Sequence, residues 1–429
     1  MAGVTQQVAA ILGESQVVDW AAAEVLGQRI SGVMVSGAAF PEAIAYPETE
    51  AALAELMVCA HKNGWRVLPC GHGSKLSWGG PIQPCDLVVS SDLLNASINH
   101  AVGDLTLTVA AGASFHIVQT QLAETGQFLA LDPAYEGDAT LGGIVATADT
   151  GALRQRYGGV RDQLIGLSFV RHDGQIAKAG GRVVKNVAGY DLMKLMTGAY
   201  GTLGFLSQLT FRTYPVAEMT RTVVITGESA AMADLVGVVR RSPLTPVKLD
   251  LLNGPLLQTS NQDGNIGLAA QFQTIEAGVA EQVARLESLS QPHGVQVVAV
   301  EDDFWVELQH QMFPESATPP VILAKVGVKP SEAIALIQTI QGLSPQARVR
   351  LHSNSGIGWM RTDVLSAPDV STLRNYCRDR GGYFTLLEAP LALKQATDPW
   401  GLAPDVKALM GRLKHQFDPQ DRFSPGRLG

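Results

Sequence analysis

Between Asp132 and Phe205 the chain reads DPAYEGDATLGGIVATADTGALRQRYGGVRDQLIGLSFVRHDGQIAKAGGRVVKNVAGYDLMKLMTGAYGTLGF. From Gly137 to Gly204 there are 14 glycines in 68 residues, against 44 in all 429. Glycine loses more conformational freedom on folding than any other residue. Such density therefore implies backbone that turns through positive φ or comes very close to something. Interleaved with Thr, Ala and short apolar runs, the stretch predicts backbone amides lining a long ligand.

At 429 residues the chain exceeds one hydrophobic core, so two or three domains are expected. A charged fraction of 17% argues against bulk disorder, and a net charge of -8 argues against nucleic acid as a partner. The four cysteines, Cys59, Cys70, Cys85 and Cys377, form no C-x-x-C pair, so neither a zinc site nor an iron–sulfur cluster is signalled and no metal is expected. The first residues do not resemble a secretory signal, and no apolar run reaches membrane-spanning length. A cytoplasmic protein is expected, touching a membrane only through partners.

Residues 1–37 read as a short helical lead. From Ala38 the pattern becomes α/β. A helix is predicted over Glu50–Asn63, with Leu53, Leu56, Met57 and Ala60 on one face. A strand at 65–68 runs into Pro69, Cys70, Gly71, His72, Gly73, Ser74 and Lys75, and 86–90 is the next strand. The alternation of residues 104–110 predicts a half-buried strand, and 163–171 with 175–180 a hairpin around Asp173-Gly174. Beyond Pro215 the glycine signature ends, and strands alternate with helices to about residue 390. Seven strands are read there, at 222–226, 248–252, 266–273, 295–300, 321–328, 348–352 and 383–387, giving an α+β domain on an antiparallel sheet. The expected division is 1–37 lead, 38–215 ligand-binding domain, 216–400 cap, and 401–429 a last helix and tail.

Three segments carry chemistry. The turn Gly71–Lys75 follows a strand and exposes consecutive N–H groups suited to a pyrophosphate, with Ser74 and Lys75 adding a hydroxyl and a charge. It is neither a Walker loop nor a G-x-G-x-x-G fingerprint. The second segment is Ala139–Gly143, between Asp132-Pro133 and Arg156–Gly158. The third is Gly181–Asp191 followed by Gly198–Gly204. Together they resemble the FAD-linked oxidases of the vanillyl-alcohol oxidase / p-cresol methylhydroxylase type, from Ala38 to Pro215 plus the tail. The phrase VVKNVAGYDLMKL, then GTLG and a terminal KHQFDPQDRFSPGR, is most similar to the FAD-binding subunits of bacterial glycolate oxidases. The implied fold is α+β: an FAD-binding domain of two α/β subdomains plus an α+β cap.

The resemblance further implies that Pro69, Cys70, Gly71, His72, Gly73 and Ser74 hold the FAD pyrophosphate. Pro133, Thr140, Gly142, Gly143 and Thr147 would line the dinucleotide with Gly151, Tyr157 and Gly158. Gly204 and Phe205 would reach the isoalloxazine side. Ser424 stands where the family often has Asn, and would sit near the ring. His72 does not sit in the pattern of the histidines that some members bond to FAD, so noncovalent FAD is expected.

Oxidising a 2-hydroxy acid requires a base for the hydroxyl proton and a cation for the carboxylate. The cap carries His352-Ser-Asn-Ser-Gly-Ile-Gly358, one histidine with no acid beside it, where related dehydrogenases have a two-histidine metal motif. His352 therefore reads as a strand-end polar residue. Arg361 reads as an exposed strand arginine, and Trp305, Trp359 and Trp400 as core or interface aromatics. Lys185 and Tyr190 read equally as pocket or packing residues. No catalytic residue is assigned. The implied function is an FAD subunit of a glycolate oxidase complex, with a second FAD subunit carrying the histidine motif and an iron–sulfur subunit taking the electrons. The alternative is a free-standing FAD oxidase of another alcohol or 2-hydroxy acid. A third possibility is a structural subunit that has lost its flavin.

Overall fold

The computed structural model describes residues 3–96, 98–182, 190–259, 262, 264–301, 303–314 and 321–428. Lys185 and most of the VVKNVAGY phrase lie outside them. The chain divides into two compact units. The first comprises residues 1–150, 159–216 and 402–429, and the second residues 151–158 and 217–401.

Among the described residues the first unit holds two larger sheets and a short antiparallel pair, Gln127–Phe128 with Tyr214–Pro215. Strands β1 (Val17–Asp19), β2 (Ala43–Ala45), β3 (Val67–Cys70) and β4 (Leu87–Ser90) lie in the order β1-β2-β4-β3. β2, β4 and β3 run parallel, and β1 pairs antiparallel with β2. The crossover between β2 and β3 is the helix Glu50–Asn63. Thr49 caps it by accepting the Ala52 N–H at 3.1 Å, and Gly64 ends it at φ 73°. Its buried Leu53, Leu56, Met57 and Ala60 cover the parallel strands. Burial of each large side chain stabilises the unit by roughly 2 kcal/mol. The lead is part of this unit: Val4, Val8 and Leu12 enter the same core and Val17–Asp19 extends the sheet.

The second sheet, β5 (Ile98–Ala101), β6 (Thr106–Ala110), β7 (Leu164–Val170), β8 (Ile176–Gly180) and β9 (Phe205–Arg212), is antiparallel in the order β5-β6-β9-β7-β8. The expectation for β6 is corrected here. All five of its residues are buried, because the strand is internal and its polar face is covered, with Thr108 and Thr210 hydroxyls 3.0 Å apart across to β9.

Among its described residues the second unit has one antiparallel sheet of eight strands: β10 (Met219–Gly227), β11 (Lys248–Asn253), β12 (Ile266–Thr274), β13 (Val297–Ala299), β14 (Ile322–Gly327), β15 (Arg348–His352), β16 (Ile357–Thr362) and β17 (Tyr383–Glu388). Their order is β13-β10-β12-β11-β15-β16-β14-β17. β16 is the strand missing from the sequence reading. Its hairpin turns at Gly356 (φ 67°), and at Gly358 a Cβ would meet the Arg350 carbonyl oxygen at 2.0 Å. The glycine that close pairing requires there also interrupts the β-forming pattern.

Alternation along the strands separates two chemistries. One face carries Val223, Leu249, Leu251, Leu268, Val349, Met360 and Phe384, buried under the helices Ser229–Arg241, Glu276–Ser290, Ala333–Leu343 and Ala367–Asp379. The other carries Thr222, Gln271, Lys248, Asp250, Arg348, Arg350, His352, Trp359, Arg361 and Lys325. The helix Phe304–Met312, unread in the sequence, contributes Trp305 and Gln309 to this polar side. After residue 401 the chain contributes its last helix, Pro404–Phe417, and tail to the first unit. No helix among the described residues is long and apolar enough to cross a membrane.

Candidate functional site

β3 delivers the chain into the turn 71–75, where the Gly71 and His72 carbonyls and the His72 and Lys75 side chains are tied down. The Ser90 hydroxyl donates to the Gly71 carbonyl at 3.1 Å, and Arg29 Nη1 to the His72 carbonyl at 2.8 Å. His72 Nδ1 lies 3.1 Å from the Asp138 carbonyl oxygen, and Nε2 lies 3.0 Å from Asp92. Lys75 and Asp149 are buried as an ion pair at 2.9 Å, a contact without hydrogen-bond alignment at Nζ. Among the described residues, none of the N–H groups of Gly71, His72, Gly73, Ser74 and Lys75 donates a hydrogen bond. Five consecutive amides left open beside a cleft fit a group with many acceptor oxygens, such as a diphosphate.

The turn forms one wall of a cleft. Pro69, Cys70, Gly71, His72, Gly73, Ser74, Thr140, Gly142, Gly143, Thr147, Gly204 and Phe205 all line it. The glycines have distinct reasons. At Gly71 a Cβ would meet Thr140 Oγ1 at 2.3 Å, so the turn packs directly on the neighbouring segment. At Gly143 the only neighbour is Thr140 Oγ1 at 3.1 Å, so a side chain there would project into the cleft. Thr140 caps the helix Leu141–Thr147 through the same hydroxyl. Burial pushes the Cys70 thiol up to about 12, against its hydrogen bond with Ser90, so the group stays a neutral thiol.

Lining residues that the sequence reading passed over include Met196, Ala199, Tyr200, Gly201 and Arg427. Tyr200 sits at φ 52°, its N–H donating to Ala146 at 2.8 Å, inside a segment already conspicuous for its glycines. Arg427 arrives with the tail. Val67 N–H donates to the Arg422 carbonyl at 2.7 Å and Ser424 N–H to the Val67 carbonyl at 2.9 Å, stitching the tail onto β3. Arg427 then donates to the Gly80 and Leu76 carbonyls at 2.8 and 2.7 Å. Burial pulls its guanidinium down to about 10, opposed by Tyr200, which leaves it charged at neutral pH.

Other expected residues lie elsewhere. Ser424 is buried at φ 43° and borders a separate small pocket with Leu68, Ile82 and Cys85. Pro133 is buried beside Ala134, whose N–H donates to Asp149, and does not line the cleft. Gly151, Tyr157 and Gly158 belong to the second unit. Tyr190 is 93% exposed.

In the second unit His352 ends β15. Its acid partner comes from the adjacent strand, 102 residues away: His352 Nδ1 lies 2.8 Å from Asp250 Oδ1, and Arg350 Nε donates to Oδ2 at 2.6 Å. All three are buried. Burial raises the Asp250 carboxyl, but His352 and Arg350 outweigh it and hold it down at about 2. In the neutral ring, donation from Nδ1 leaves the lone pair on Nε2. Arg350 and Lys248 also lie over Trp305, and Lys325 over Trp359. Arg348 stands directly opposite Arg361, a like-charge pair that disfavours the sheet unless an anion is near. Arg361 is half-buried rather than exposed, donating to the Gln311 carbonyl at 3.2 Å. Trp305 and Trp359 are buried, as expected. No cluster of three or more metal-ligating side chains occurs among the described residues.

Residues 41–180 match the FAD binding domain family. The chain is 26% identical over 366 residues to "Glycolate oxidase subunit GlcE" of Escherichia coli, covering 83% of this chain and 91% of the relative. It is 23% identical over 418 residues to "Glycolate oxidase subunit GlcD" of Bacillus subtilis, covering 90% and 89%. Among solved structures it is similar to p-cresol methylhydroxylase with substrate bound, at TM-score 0.78 and 14% identity, over 99% of this chain and 96% of that one. That likeness concerns the fold. Residues 41–180 thus carry the match to the FAD binding domain, and the open row of amides at 71–75 falls within them.

Proposed function

We propose that the chain oxidises a 2-hydroxy acid, with glycolate the first candidate, as the FAD-bearing subunit of a multi-subunit enzyme that passes electrons to an iron–sulfur partner. The observation that carries the reading is the set of five unengaged amides at 71–75 beside a cleft that matches the FAD binding domain. The similarity to two glycolate oxidase subunits supports the substrate class and the complex. Bound in the cleft, FAD supplies a two-electron acceptor for the hydrogen at the substrate's C2.

The turn would hold the diphosphate, and Thr140, Gly142, Gly143 and Thr147 would line the dinucleotide. Arg427 adds a fixed positive charge to the cleft wall.

The test is anaerobic flavin reduction by glycolate, D-lactate and simple alcohols, with and without partner subunits. Bleaching by 2-hydroxy acids but not by alcohols is expected. Reduction by alcohols alone would contradict the reading.

A further inference from the structure

Lys414, on the last helix, does not line the cleft, yet it ties together two segments that do. Its Nζ donates to the Thr202 carbonyl at 3.0 Å, to the Phe423 carbonyl at 2.8 Å and to the Asp418 carboxylate. Asp421 Oδ1 lies 3.2 Å away. An ammonium has three divergent donors, and these three bonds use them all. Asp418 is buried and also accepts the Phe423 N–H at 2.7 Å, so the corner of the tail is fixed from both sides.

Thr202 is buried inside the run that brings Ala199, Tyr200, Gly201 and Gly204 to the cleft. Phe423 leads through Ser424 to Arg427, which lines the same cleft. The two segments meet at Gly201. At its φ of 69° a Cβ would come to 3.5 Å from both Pro69 and Ser424. Among the described residues no main-chain hydrogen bond links the tail to 198–204, whereas Val67 pairs the tail with β3. The tail also spans both larger sheets of the first unit. Leu413 and Phe417 pack on the core of the second sheet, and Phe423 is buried in the core of the first.

We propose that Lys414 is a positioning residue for the FAD site. By holding the Thr202 and Phe423 carbonyls on one ammonium, it registers the segment 198–204 against the C-terminal tail and so completes the cleft wall that receives the cofactor. Docking of the tail and binding of FAD then favour each other by the same factor. Removal of the ammonium leaves two buried carbonyls and the Asp418 carboxylate unmatched, and the two wall segments lose their common anchor. This inference rests on the reading of the cleft as an FAD site.

The experiment titrates the flavin-stripped full chain with FAD well below its melting temperature, following quenching of flavin fluorescence. Amide hydrogen exchange of residues 418–428 is followed with and without FAD. The variants are Lys414→Met, of similar length but without donors, and Lys414→Arg, which keeps the charge on a planar fork in place of three divergent donors. The Kd should rise about tenfold or more in Lys414→Met, the size expected for loss of charge-assisted hydrogen bonds, and by less in Lys414→Arg. FAD should slow exchange in the wild-type tail and fail to do so in Lys414→Met. A role in stability alone would lower the melting temperature of flavin-free Lys414→Met but leave the Kd of the folded chain and the FAD-dependent protection unchanged. That result overturns the inference while the FAD site stands. If Lys414→Met does not fold, Lys414→Arg decides, and a wild-type Kd with wild-type protection overturns the inference. A wild-type chain that takes up no FAD overturns both readings.

Discussion

The turn 71–75 in the first unit and the Asp250–Arg350–His352 cluster in the second are built by opposite means. The turn presents main-chain amides, and its side chains serve to hold it still. The cluster presents side chains, and the main chain serves only to align strands. One is assembled from consecutive residues, the other from positions about a hundred residues apart. A site made of amides tolerates loss of a side chain but not the addition of one on its open face. A site made of buried charges fails the other way, because removing one partner strands the rest.

That contrast can be broken most severely at Gly143. Gly143→Val adds atoms where only Thr140 Oγ1 is near, so the purified variant should contain no flavin, while calorimetry shows the second unit melting as in the wild type. Retained flavin would mean that the cleft wall is misassigned.

Next in size is Asp250→Ala, which leaves Arg350 and His352 buried without their carboxylate. A cost of about 3–5 kcal/mol is expected, read by denaturant unfolding, with flavin content preserved. The same pair sets acid sensitivity. The Asp250 carboxyl is depressed in the folded state to about 2, so its stabilisation is full above the unfolded value of about 3.9. It is lost as pH falls through about 2. The gap in stability between the wild type and Asp250→Asn should therefore narrow between about pH 4 and pH 2. A constant gap would contradict the ion-pair account.

The smallest effect is expected at Thr140→Ala. It removes the hydroxyl that caps Leu141–Thr147 and should cost about 1 kcal/mol, with FAD bound more weakly but not lost. An effect as large as that of Gly143→Val would show that side chains, and not backbone, carry this wall.

The same contrast explains what could be read in advance. The turn, the glycine-lined helix and the helix Glu50–Asn63 are local, and local patterns leave marks: consecutive glycines, a Thr cap, a Gly stop, apolar residues at helical spacing. The Asp250–His352 contact leaves none, since it exists only once β11 and β15 are neighbours. β16 was hidden because the glycine its close pairing demands looks like a loop. Arg427 lies inside the tail motif, where the resemblance points to Ser424 as the ring contact. The direction of each side chain follows from the bridge between Val67 and Phe423, which no local pattern announces.

The most direct test of the account is the visible spectrum of the purified chain before and after acid precipitation. The account predicts flavin bands in the native protein and free FAD in the supernatant once the protein is removed. A colourless protein that rejects added FAD, or flavin that stays with the precipitate, would contradict it.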